Sequence, residues 1–216
     1  MGSLFERLTS EVVGEYRVGE LSWPQAIELF EAVYMASRNL AARTRREYRN
    51  DLEQLAAFAA EVGVNAPAEV GLSHLQAFLA HLDEQDLTGT TRRRKTSSIK
   101  AFFKYLQSAG LIRHNPALQL VPPEREYKEP RFLTTQEYRA LLRACSHHTR
   151  DAAIIELILQ TGLRLSEVSR LTVYDVVLPA RINRDPGNVG KIYVRGKGRK
   201  NRTLPLNYKA CRALKS

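Results

Sequence analysis

Four of the chain's nine prolines, Pro116, Pro122, Pro123 and Pro130, fall among charged residues between Arg113 and Pro130. Proline lacks an amide hydrogen and holds φ near −65°, so such a stretch interrupts helices and strands alike. It reads as a linker over 113–131 and splits the 216 residues into two units. The expected layout is a tail at 1–21, a helical domain at 22–112, the linker, and a second domain at 132–216.

The front domain carries helical signals throughout. They become dense at Trp23-Pro24, and Leu29 to Met35 is apolar enough for a packed helix. Thr44-Arg45-Arg46-Glu47 has the form of a capping box and predicts a helix start at Thr44. The stripe of that helix is Tyr48, Leu52, Leu55, Ala59 and Val62. A shorter helix is expected over His74–Leu82. Thr88-Gly89-Thr90-Thr91 then caps a helix that runs to about Ser108 and stops at Gly110.

In the rear domain Thr134 or Thr135 caps a helix to about Cys145, and Ala152–Gln160 reads as a buried helix. One short strand is expected within Val173–Leu178. Two more, Lys191–Val194 and Arg202–Leu206, flank a glycine-bearing turn. The fold class expected is therefore mainly α in two domains, the second α+β with a small antiparallel sheet.

Charge points to the partner. The formal charge is +10, unevenly spread. Gly89–Arg113 holds seven basic residues and no acid, and Gly190–Ser216 holds nine and no acid. These sixteen exceed the total, so the remainder of the chain is net negative. Two concentrated positive segments fit a polyanion better than a general need for solubility. On a helix over Thr91–Leu106, Ile99, Phe102, Phe103 and Leu106 share one stripe. Arg93, Ser97, Lys100 and Lys104 share the opposite one. Small Ser97 lets that basic face approach a duplex groove closely, with Thr91 and Arg94 nearby. At the other helix start Arg43, Arg45, Arg46 and Arg49 crowd around Thr44. Cations there oppose the helix dipole, and a bound phosphate reverses that penalty.

Other classes are disfavoured. No apolar run approaches the roughly 20 residues that cross a bilayer. Cys145 and Cys211 lack metal-ligand spacing and read as reduced thiols, so no metal is expected. The start of the chain shows no basic segment followed by an apolar one, so no secretory signal is visible; a cytoplasmic protein is expected, nucleoid-associated through its DNA binding.

Thr161-Gly162-Leu163-Arg164-Leu165-Ser166-Glu167 follows the expected buried helix. Glu167, three residues on, can orient the Arg164 guanidinium, whose fork suits two oxygens of one phosphate. Taken alone, the pair reads as a surface ion pair at a helix start. Gly196-Lys197-Gly198 then places a lysine between two glycines at a hairpin tip, where it can reach into a groove.

These motifs carry a resemblance. Tyr48, Asp51 and Leu52 after Thr44, then Phe102-Phe103-Lys104-Tyr105-Leu106 and Asn115-Pro116-Ala117, resemble the SAM-like core-binding domain of phage integrases and Xer-type recombinases. TGLRxSE followed by GKGxKxRxxPL resembles the first part of their catalytic domain. The resemblance implies that Arg164 stabilises a pentacoordinate phosphate with Glu167 as its support, and that Lys197 is general acid to the departing 5′ oxygen. Arg195, Arg199, Lys200 and Arg202 would contact DNA. In the family a tyrosine attacks the phosphodiester and forms a 3′-phosphotyrosyl link without a cofactor. The family pattern continues with His-x-x-Arg and that tyrosine. Here His147-His148-Thr149-Arg150 fits only by chance, upstream of Arg164, and Tyr208 has no motif around it. The expectation is a catalytic domain represented in part, binding double-stranded DNA without cutting it. The complete protein would synapse as a tetramer, and this chain alone would be a monomer. The alternative is a non-enzymatic DNA-binding regulator or competitor of a recombinase.

Overall fold

A computed structural model describes residues 18–124, 129–145, 147–185, 187–196 and 201–215. The chain divides into two compact units, one through Lys128 and one from Glu129.

The first unit is helical. Helix α1, Trp23–Leu29, starts where the Gln25 side-chain oxygen accepts from the Ser22 amide (3.0 Å) and hydroxyl (2.8 Å). It widens into a π-helical stretch, Phe30–Met35. Helix α2 spans Ala42–Glu61 and so begins two residues before Thr44. The Arg45 amide already closes on the Ala41 carbonyl at 3.0 Å, and the Arg45 Nε donates to the Leu40 carbonyl at 2.9 Å. Ala41 therefore takes the cap position with no side-chain bond, and the expected start at Thr44 is corrected. Helix α3 is Leu72–Glu84 and helix α4 is Gly89–Ser108. As expected, α4 is capped by Thr88, whose hydroxyl accepts from the Thr91 amide.

The apolar stripe of α4 meets those of α1, α2 and α3. Phe102, Phe103, Ile99, Leu106, Leu52, Phe30 and Leu75 are all fully buried. At roughly 1.5–3 kcal/mol per large side chain, this face holds the unit together. Trp23 stacks on Phe102 with ring centres 6.1 Å apart. Two expectations at the edges change. Leu21 belongs to this core, and so do Ala117 and Leu120, each 1% exposed. The front half of the proline-rich segment is thus docked on the first unit, because its apolar residues find the open end of the core.

The second unit is mixed. Helix α5, Thr135–Ala144, carries a reciprocal cap: Thr134 accepts from the Glu137 amide and Glu137 from the Thr134 amide. These bonds, with one from Arg131, hold the Glu137 carboxyl below its ordinary pKa. Helix α6 spans Thr149–Thr161 and ends at Gly162, whose φ of 65° suits a residue without a Cβ. Helix α7 is the single turn Leu165–Val168.

Val173–Asp175 forms a 3-10 turn, because Asp175 accepts from both the amide and hydroxyl of Thr172. Only Val176–Val177 remains as strand β1. Strands β2, Gly190–Arg195, and β3, Asn201–Leu206, form an antiparallel hairpin, and the sheet order is β1-β2-β3. Its register pairs Gly190 with Leu206, Val194 with Arg202 and Arg195 with Asn201. Helix α8, Tyr208–Lys215, follows. A small core gathers Leu157, Leu163, Ile192, Val194, Leu206, Ala210 and Cys211. Among the described residues, no helix is long and apolar enough to cross a membrane.

Candidate nucleic-acid interface

Gly162 turns the chain out of α6, and Leu163 drops into the core at 3% exposure. Arg164 follows in an extended conformation at the cap of α7, with 67% of its side chain exposed. Glu167 sits beneath it with its side chain 5% exposed. One carboxylate oxygen accepts from the Arg164 amide at 2.9 Å, the other from its Nη1 at 3.1 Å. Arg164 is thereby tethered at one edge of its guanidinium while the rest faces solvent.

The second partner of Glu167 lies 35 residues away. Arg202 donates from Nη1 at 2.9 Å and from Nη2 at 2.8 Å, one to each carboxylate oxygen. Glu167 is pushed down to about 2, first by the Arg202 hydrogen bonds and then by the Arg164 amide. The sequence reading takes Arg202 as a DNA contact; the structure turns it onto the inner face of the hairpin. Its alternation with Leu204 and Leu206 was a usable signal for this. Arg195 points to the exposed face of β2. Lys197, Arg199 and Lys200 lie outside the described residues.

The first unit sorts its cations similarly. Asp51 is 1% exposed and takes both terminal nitrogens of Arg94, at 2.6 and 2.8 Å. It also accepts from Lys95 at 3.0 Å and from the Ser98 hydroxyl at 2.7 Å. Arg94, expected at the interface, is thus drawn into a clamp between α2 and α4. No local spacing could have shown this, since 43 residues separate the pair. Arg49 is engaged by Glu31 at 2.7 Å, which raises its pKa, and Arg45 by the Leu40 carbonyl. Thr91 is absorbed by the cap, its hydroxyl 3.0 Å from that of Thr88. Thr44 is half-buried in the first turn of α2.

What remains outward is coherent. Arg93, Ser97, Lys100 and Lys104 share one face of α4, as expected. Arg93 gives one nitrogen to the Pro123 carbonyl at 3.0 Å, and Ser97 bonds back to the Arg93 carbonyl. Arg43, Arg46, Lys100 and Lys104 have no ion-pair partner among the described residues. The outward face of α4, a helix without a carboxylate of its own, lies above a packed apolar stripe and is suited to a line of phosphates. Among the described residues no group of His, Cys, Asp and Glu could hold a metal ion.

One unit is thus helical with a basic face on α4, and the other presents Arg164 from the buried Glu167 carboxylate. Residues 27–110 match the Phage integrase, N-terminal SAM-like domain, and residues 131–216 match the Phage integrase family. The chain belongs to the phage integrase family of tyrosine recombinases and is Xer-like. It is 33% identical over 184 residues to the tyrosine recombinase XerC of Oceanobacillus iheyensis, covering 83% of this chain and 57% of that one. It is 34% identical over 185 residues to XerC of Pseudomonas syringae pv. syringae, covering 83% and 58%. The chain therefore spans less than two thirds of these relatives. In fold it is similar to a lambda integrase dimer bound to a COC′ core site, with a TM-score of 0.65 at 16% identity, covering 95% of this chain and 56% of that one.

Proposed function

We propose that these 216 residues bind duplex DNA through its backbone phosphates, as the DNA-gripping part of a site-specific recombinase. The observation that carries this reading is Arg164, held at one edge by a buried carboxylate with the rest of its guanidinium open to solvent. Such a preorganised fork places charge where a phosphodiester gains it during strand exchange. Glu167 supports it, and Lys197 supplies the proton to the departing 5′ oxygen. Arg43, Arg46, Arg93, Ser97, Lys100 and Lys104 of the first unit, and Arg195 of the second, hold further phosphates.

Strand exchange in this account runs through a 3′-phosphotyrosyl link. Within these residues no tyrosine stands in the family's motif, and His147-x-x-Arg150 begins α6 rather than following the hairpin. The 216 residues by themselves therefore bind without cutting, and they are monomeric in the cytoplasm and in solution. A nicked duplex that traps covalent adducts tests this: denaturing electrophoresis shows free protein and free DNA. A protein–DNA band resistant to denaturation overturns the non-cutting reading, and a tetramer by light scattering overturns the monomer.

A further inference from the structure

We propose that Arg202 is a positioning residue for Arg164, acting through Glu167, and that it does not bind phosphate. The proposal rests on the reading of Arg164 as a phosphate ligand and deepens it. Glu167 offers one carboxylate to two arginines. Arg202 meets it with a parallel fork, one nitrogen per oxygen at 2.9 and 2.8 Å. Arg164 is left with the backbone amide contact and one guanidinium bond, at 3.1 Å. A carboxylate without Arg202 would be open to a bidentate grip by Arg164, which would draw that guanidinium inward and spend its donors. Arg202 keeps it facing out.

Placement supports this role. Arg202 lies opposite Val194, which is 3% exposed, and on the same face of β3 as Leu204 and Leu206. Both its terminal nitrogens are committed to Glu167. The strand that carries it leaves residues 197–200, so the ion pair also ties the lysine-bearing hairpin to the turn that carries Arg164. A charge-only contact has no need of such geometry, and a lysine in place of Arg202 could not cover both oxygens.

The test is a double-mutant cycle read as the salt dependence of duplex binding. Arg164→Gln should lower the slope of log K against log salt by about 0.9, the loss of one phosphate contact. Arg202→Gln should lower it by the same amount in the native background and by nothing further when Arg164 is already Gln. Arg202→Lys, which keeps the charge and guards against a variant that fails to fold, should follow Arg202→Gln in both backgrounds. Losses that add across the two sites, or a slope left unchanged by Arg202→Lys, overturn the positioning role. If Arg164→Gln itself leaves the native slope intact, the reading of Arg164 falls and takes the proposal with it. A native chain with no salt-dependent duplex binding sinks the functional reading as a whole.

Discussion

Glu167 and Arg202, 35 residues apart, form a parallel two-bond pair that makes one carboxylate the hub of the second unit. Replacing Glu167 with Gln removes an acid from a chain of formal charge +10. An interface held by charge alone would then bind DNA more tightly. We expect the opposite: weaker duplex binding, by the equivalent of about one phosphate contact. Fluorescence anisotropy with a labelled duplex at fixed salt reads the sign directly.

The same pair sets a pH dependence. Glu167 is held at about 2 against its ordinary 4.5, so its ionised form is favoured in the folded state. The stability it confers is complete above about 4.5, declines as the pH falls, and is gone once the pH has passed below about 2. Thermal unfolding of native protein and E167Q should therefore converge as the pH falls from 5 toward 2. A gap that stays constant over that window contradicts the assignment.

Asp51 makes a parallel prediction for the first unit. Asp51→Asn keeps the shape but strips Lys95, 4% exposed, of its counter-charge and leaves Arg94 only the longer pair with Glu47, at 3.6 Å. Breaking a buried pair costs about 3–5 kcal/mol. The low end is expected, because 41% of the Arg94 side chain is exposed to water. Urea denaturation measures it, and a loss below about 1 kcal/mol would mean that the clamp is worth no more than a surface pair.

Gly190 opens β2 where there is no room for a Cβ. One placed there would lie 2.8 Å from the Cys211 sulfur and 3.0 Å from the Val177 carbonyl oxygen. Gly190→Ala should cost about 1–3 kcal/mol by overpacking. Cys211→Ala in the same chain should recover part of that, and the carbonyl contact should keep the rest. Full recovery, or none, would show that the packing here is different.

Some of this was legible in the residues and some was not, for physical reasons. Local features read well. The stripe Ile99, Phe102, Phe103 and Leu106 is buried as its period requires, Thr134 caps its helix, and the hairpin lies where alternation placed it. Contacts between distant segments did not read. Asp51 selects Arg94 and Lys95 from a run of four consecutive basic residues, and nothing in that run marks which will turn inward. Proline content likewise said nothing of Ala117 and Leu120, whose burial depends on a cavity formed by other helices. Arg202 lies between these cases. Its strand period was visible, but its carboxylate partner was not.

The central claim is that this chain grips duplex DNA through its backbone phosphates. Its most direct test is the equilibrium binding of one labelled duplex, and of its separated strand, across a range of salt. With seven outward cations proposed to meet phosphates (Arg43, Arg46, Arg93, Lys100, Lys104, Arg164 and Arg195), log K should fall linearly with log salt with a slope of about −6, and the duplex should bind clearly more tightly than the single strand. A flat salt response, or equal affinity for single and double strands, would contradict the account.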